Sequence, residues 1–190
     1  TAESKSTKEQ IKHRQVLYNL FENRPMSDEE LLICPGLYMR SSALAKILFV
    51  NEAYELILNQ PGVIVEFGTW WGQNLILFEN LRAIYEPFNQ TRRVIGFDTF
   101  CGFPDVDIAD GNKSNVKEGS FAVNYDVYSE LQECIEVYDN NRFIQDQRKV
   151  EIIKGDANET IPNYVENNQH LLISLLYLDF DIYKPTVTAL

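Results

Sequence analysis

Hydrophobic positions along the chain fall into two spacings. Between Ser6 and about Glu22, Leu17, Leu20 and Phe21 lie on one side of a helix with charges elsewhere, and a polar turn from Arg24 to Glu30 ends it. Ser41 or Ser42 can cap a second helix reaching about Leu58, where Leu44, Ile47, Leu48 and Tyr54 recur at helical spacing and Pro61-Gly62 marks the stop. Val63–Phe67 is short, β-branched and nearly all apolar, as suits a strand buried on both faces of a parallel sheet. Helical spacing returns from Gln73 to about Tyr85, with Leu75, Phe78, Leu81 and Tyr85 on one face. Val94–Asp98, Val150–Ile153 and Leu171–Phe180 then read as strands, with helical patterns over Tyr128–Val137 and Ile161–Glu166. Strands alternating with helices predict an α/β fold, a doubly wound parallel sheet.

Two stretches depart from this rhythm. Phe100–Asn124 is rich in Asp, Gly, Asn and Lys without periodicity and is too long for an ordinary connection, which marks it as a functional insertion. Pro185 stands where the first turn of a new helix should begin, and the sequence ends at Leu190. A sheet ending at its fourth strand would expose an edge and half its core, so further strands are expected beyond. The expected division is a helical cap or lid over residues 1–60 and a nucleotide-binding domain over 61–190.

Composition narrows the function classes. A formal charge of −11, from 28 acidic against 17 basic side chains, repels a phosphate backbone and disfavours nucleic acid as a partner. Cys34, Cys101 and Cys134 are odd in number and widely spaced, which suggests neither a disulfide framework nor a zinc site and fits a cytoplasmic setting. The apolar run Leu171–Leu178 is far short of the roughly 20 residues that span a bilayer, so no membrane is expected as a partner. In a cytoplasmic protein, Asn-x-Ser/Thr triplets at Asn89, Asn112 and Asn158 carry no meaning. The apolar Ala43–Leu58 helix can serve an interface as well as a core, which allows a homo-oligomer.

The chemistry gathers at strand ends. Glu66-Phe67-Gly68-Thr69-Trp70-Trp71-Gly72 turns the first strand into its helix, presenting backbone N–H groups to a ligand at the carboxyl edge of the sheet. A nicotinamide site would need G-x-G-x-x-G to admit a pyrophosphate, but Thr69, Trp70 and Trp71 fill that stretch. Glu66 would attract the cationic amino group of a methionine moiety and repel phosphate. A tight strand-to-helix turn is the structural alternative. Asp98, ending the second strand, can accept both hydroxyls of a ribose or cap the loop that follows. After the third strand, Gly155-Asp156 offers an acceptor for an adenine amino group, or Asp156 simply starts a helix.

Asp179 and Asp181, at i and i+2, would lie on one face of the fourth strand, where two buried carboxylates call for a cation or a shared proton. Oxygen ligands suit Mg²⁺ or Ca²⁺, and a second carboxylate can act as general base toward a hydroxyl. Capping the helix at Pro185 or pairing with Lys184 is the alternative. His13 and His170 fall in no motif and read as surface residues. Trp70, Trp71, Phe97, Phe100 and Phe103 read as core sooner than as a cofactor stack.

Three segments in order, Val63–Gly72, Gly96-Phe97-Asp98-Thr99-Phe100-Cys101-Gly102-Phe103-Pro104 and Tyr177-Leu178-Asp179-Phe180-Asp181-Ile182-Tyr183-Lys184-Pro185-Thr186, resemble the macrocin O-methyltransferase (TylF/MycF) family over about residues 38–190. The resemblance implies a Rossmann-like sheet of the class I methyltransferase type. It also implies O-methylation, dependent on S-adenosylmethionine (SAM) and Mg²⁺, of a sugar or glycosylated natural product. The resemblance maps the family's glycine turn onto Glu66, Gly68 and Gly72 and its ribose-binding acid onto Asp98, and with Thr69, Trp70, Asn74, Thr99, Gly155 and Asp156 these make up the expected cofactor-binding set. Arg40 joins them for the cofactor carboxylate, Asp179 for metal and Asp181 as candidate general base. Family members carry two more metal-binding aspartates past the fourth strand, beyond residue 190, and many have a basic residue where Trp71 stands. The rival readings are an NAD-dependent sugar-modifying oxidoreductase and a non-catalytic methyltransferase-like binding domain.

Overall fold

A computed structural model describes residues 6–111, 116–145 and 147–190 and divides the chain into two compact units, 1–48 and 49–190. The Asn112 triplet lies outside the described residues.

In the first unit, α1 (Lys8–Glu22) opens on a capping box in which the Thr7 side chain accepts from the Gln10 N–H and Gln10 answers at Thr7. Residues 24–30 are not simply the expected polar turn: Ser27 and Glu30 form a second capping box that starts α2 (Asp28–Ile33). Reciprocal satisfaction of two orphan N–H groups lets so short and acidic a segment wind. Phe21 meets Tyr38 edge-on at 5.5 Å and carries the Arg24 guanidinium over its face at 4.7 Å. Leu44 and Leu48, two of the apolar residues at helical spacing, are exposed, whereas Tyr54 is buried. Their helix, α3 (Ser41–Glu55), ends at Glu55 and gives way to turns before Pro61.

The second unit is built on four strands, β1 (Val63–Phe67), β2 (Val94–Asp98), β3 (Val150–Lys154) and β4 (Ile173–Leu178), all parallel in the order β3-β2-β1-β4. Between them run α4 (Gln73–Tyr85), α5 (Val127–Asn140) and α6 (Ala157–Asn167), and α7 (Tyr183–Ala189) follows β4. Every residue of β1 is buried, as its unbroken apolar run predicts. Alternation along β1 sends Ile64 to a core shared with Val50, Tyr54, Leu75, Phe78, Leu131 and Ile135, and sends Val63, Val65 and Phe67 to a second core against Ala157 and Ile161. Helices therefore cover both faces of the sheet, the doubly wound arrangement. β4 is shorter than expected, because its pairing with β1 ends at Phe67↔Leu178.

The amino-terminal edge of the sheet is locked by buried charge. Arg92, 2% exposed, donates to the carbonyls of Ile57, Gln60 and Gly62, to Ser174 Oγ and to Glu86. Burial alone would raise the Glu86 carboxyl, but Arg92, Tyr54 and Asn89 together draw it below its usual range. Lys149 reaches the Gln90 carbonyl at 2.7 Å and the Gln147 side chain at 2.9 Å. Among the described residues, no helix is long and apolar enough to cross a membrane.

Candidate active site

The chain leaves β1 outward through β2 and β3, then returns to place β4 on the other side of β1. Ligands bind outside the carboxyl ends of strands at such a reversal. A crevice opens there, touched by the segment after each strand: Gly68 and Trp70 after β1, Asp98 and Thr99 at β2, Gly155 and Asp156 after β3, Asp179 and Asp181 after β4. The remaining walls are apolar and include residues that sequence reasoning did not single out, among them Phe121, Val123 and Val127. Phe121 and Val123 belong to the aperiodic insertion, whose length was the only signal.

The first turn is tightly determined. Gly68 has φ +83°, and a Cβ there would stand 2.5 Å from the Asp179 carbonyl oxygen, so β4 itself demands glycine as well as any ligand. Its N–H donates to the Phe97 carbonyl, and the Asp179 N–H donates to that of Phe67, both at 2.9 Å. At Gly72, φ +77°, a Cβ would meet the Leu131 side chain at 2.5 Å, so glycine there admits α5 against the start of α4. Glu66 is fully buried and accepts from Asn74 Nδ2 at 2.9 Å. Neither lines the crevice, and Gly72 and Thr69 also lie outside its walls. Asn74 Oδ1 and Thr69 Oγ1 are buried without a hydrogen-bond partner among the described residues. Arg40 belongs to the first unit, where its carbonyl accepts from the Ala43 and Leu44 N–H groups at the head of α3.

Asp98 holds the crevice together. Its Oδ2 accepts from the Trp70 N–H at 2.8 Å and its Oδ1 from the Phe100 N–H at 2.7 Å, so one carboxylate fixes both loops while facing the crevice. Loop capping is thus present, and each oxygen keeps lone-pair capacity for a ribose hydroxyl. Thr99 Oγ1 donates to the Gly102 carbonyl, closing the bend after β2. Asp156 is the N-cap of α6, its Oδ1 accepting from the Asn158 N–H at 2.9 Å while the residue lines the crevice.

The structure corrects the geometry expected for Asp179 and Asp181. β4 ends before them, and Asp181 takes φ +59°, so they are not two positions on one strand face. Both are exposed, and the crevice brings them together. Lys184 Nζ lies 2.6 Å from Asp105 Oδ2 and 3.7 Å from Asp107 Oδ2, and the Tyr183 N–H donates to Asp110 Oδ1. The insertion is thereby fastened to α7, whose first residue is Tyr183, two before Pro185. Burial, followed by the charges of Asp179 and Glu66, pushes the Tyr177 hydroxyl up.

Trp70 and Trp71 are not core residues. They are 54% and 45% exposed, because Trp70 adopts φ +48° and the turn points Thr69 inward instead. Phe97 is core as expected, while Phe100 and Phe103 line the crevice. His13 and His170 are exposed. Among the described residues, no three His, Cys, Asp or Glu side chains group to hold a metal. Among the described residues, the crevice walls carry four aspartates, Asp98, Asp156, Asp179 and Asp181, and no basic side chain.

The model of the macrocin-O-methyltransferase (TylF) family matches residues 44–190. Among solved structures, a crystal structure of the calicheamicin methyltransferase CalS11 is 35% identical over 97% of this chain and 72% of its own, with a TM-score of 0.91. The apo structure of CalS11, a TDP-rhamnose 3'-O-methyltransferase of calicheamicin biosynthesis, is 31% identical over 97% of this chain and 71% of its own, at a TM-score of 0.78. The O-methyltransferase NovP shares the fold at 21% identity, covering 76% of this chain and 57% of its own, at a TM-score of 0.52. No curated protein sequence matches significantly.

Proposed function

This chain belongs to the macrocin-O-methyltransferase (TylF) family and is an enzyme, and from that premise we propose that it methylates a hydroxyl of a sugar or glycosylated natural product with SAM as donor. The observation that carries this reading is the charge of the crevice, which among the described residues carries four aspartates and no basic side chain. Such a wall attracts an ammonium and a sulfonium and repels a dinucleotide's pyrophosphate. The nicotinamide and non-catalytic alternatives are set aside by the family assignment.

SAM, when bound, supplies a methyl group activated on sulfur. Asp98 would accept from its ribose hydroxyls without releasing Trp70 or Phe100. Asp156 would read the adenine amino group beside Ala157.

Asp179 and Asp181 offer the oxygen donors that Mg²⁺ prefers, and that ion commonly uses one or two carboxylates and keeps several waters. Asp179 would hold it, and the ion would supply acidity to the acceptor hydroxyl. Asp181 removes the hydroxyl proton as the oxygen forms its bond to the methyl carbon. Methyl transfer would leave S-adenosylhomocysteine, an ether and a protonated Asp181. Orientation in the crevice supplies much of the acceleration.

Calorimetric titration of the purified protein with S-adenosylhomocysteine, and separately with NAD, tests the donor. Saturable binding of the first alone is expected, and binding of NAD alone would overturn the reading. Asp181→Asn is expected to abolish methyl transfer with S-adenosylhomocysteine affinity kept; comparable turnover in that variant removes Asp181 from its role.

A further inference from the structure

Five aromatic rings form an unbroken row, of which Phe103, Phe121 and Trp70 line the crevice and Trp71 and Tyr125 continue beyond its walls. Phe103 meets Phe121 at 5.3 Å, Phe121 meets Trp70 at 6.4 Å, Trp70 meets Trp71 at 6.1 Å, and Trp71 stacks on Tyr125 at 6.5 Å and 26°. The four outer rings are half exposed, from 45% for Trp71 to 55% for Tyr125. Single exposed apolar side chains are ordinary, but a contiguous aromatic strip running out of a crevice is not.

The strip is also held in place. The Trp70 N–H is fixed by Asp98, and the Tyr125 hydroxyl donates to Glu130 Oε2 at 2.8 Å. Its inner end lines the same crevice as Asp179 and Asp181. A ring lying on the strip would therefore be continuous with the place where a hydroxyl reacts.

We propose that the outer pair, Trp71 and Tyr125, is an acceptor subsite that stacks the apolar C–H face of a neutral sugar ring next to the hydroxyl being methylated. The inference rests on the methyl-transfer reading above. An uncharged ring with one apolar face and polar edges fits rings that are half dry and half wet. The acidic crevice beside it disfavours a charged phosphate in the same place.

The test exploits the fact that Trp70 and Trp71 are the only two tryptophans of the chain. The probe is methyl α-L-rhamnopyranoside, added to the protein with and without S-adenosylhomocysteine, with TDP-rhamnose as the charged comparison. A saturable change in tryptophan emission with the neutral glycoside is expected. Trp71→Ala should raise the acceptor KM by about tenfold, the equivalent of one aromatic contact, with kcat and S-adenosylhomocysteine affinity within about twofold. Trp71→Phe should restore most of the loss, which a merely structural role would not predict.

An unchanged acceptor KM in Trp71→Ala, with S-adenosylhomocysteine still bound, overturns the subsite and leaves the methyl-transfer reading intact. A Trp71→Ala protein whose assembly mass changes while KM does not assigns the strip to a second copy of the chain and also overturns it. Failure of the wild type to bind S-adenosylhomocysteine while the glycoside still perturbs the tryptophans instead removes the methyl-transfer reading.

Discussion

Replacing Gly68 by alanine tests how the crevice is built. The residue sits at φ +83°, and the added Cβ would lie 2.5 Å from a main-chain oxygen, that of Asp179. The left-handed conformation alone costs about 1–2 kcal/mol for an L-residue. The oxygen cannot rotate away, so β4 must shift, and loss of the Asp179–Phe67 hydrogen bond adds roughly 1 kcal/mol. A total of about 2–3 kcal/mol is expected, read as a lower urea midpoint at unchanged slope. Gly72→Ala provides the control, since its Cβ meets only the Leu131 side chain. Combined with Leu131→Ala, part of the Gly72→Ala cost should vanish, a coupling of about 1 kcal/mol, whereas Gly68→Ala should add to Leu131→Ala without coupling. A Gly68→Ala protein within about 0.5 kcal/mol of wild type would refute this account, because no side-chain adjustment can relieve a clash with main chain.

Two further outcomes follow from charge. Arg92→Met is expected to cost about 3–5 kcal/mol in urea unfolding at pH 7, since it strands Glu86 and three carbonyls without their donor, and a cost under about 1 kcal/mol would show that water replaces the guanidinium. Lys184 holds the Asp105 carboxyl below its ordinary value of 3.8, and Asp105 in turn raises Lys184. A depressed carboxylate stabilises the fold above its unfolded value, and that contribution is lost as pH falls through the folded one. The Tm gap between wild type and Lys184→Met should therefore be open at neutral pH and close in acid; a gap that stays constant to pH 2 would exclude the ion pair as its cause.

Local pattern made much of this legible. Val63–Phe67, Gln73–Tyr85 and Val94–Asp98 have the bounds read from periodicity, because each is a short, strongly patterned element between clear breakers. The second capping box, Ser27-x-x-Glu30, was equally visible in the sequence, yet its acidic run reads as a turn unless the reciprocal bonds are considered. The end of β4 was not legible, since it depends on where β1 stops offering partners. Nor were Arg92, Lys149 and Arg82, whose burial rests on acceptors scattered along the chain or a helical turn away. At the site, sequence position singled out Gly68, Asp98, Asp156, Asp179 and Asp181, all of which the crevice gathers, because strand ends in a parallel sheet share one edge. Glu66 and Asn74 pair beneath the turn instead, and the outward placement of the tryptophans follows from a backbone torsion that composition does not encode.

The arginine at the amino-terminal edge has a consequence for how such a protein can change. Arg92 gathers the exit of α3, the entrance to β1 and a residue of β4 on one cation, all at the end of the sheet opposite the crevice. The keystone thus holds the sheet in register from the pole opposite the chemistry, so a change of side chain in the exposed insertion can alter what the crevice accepts without loosening the strands.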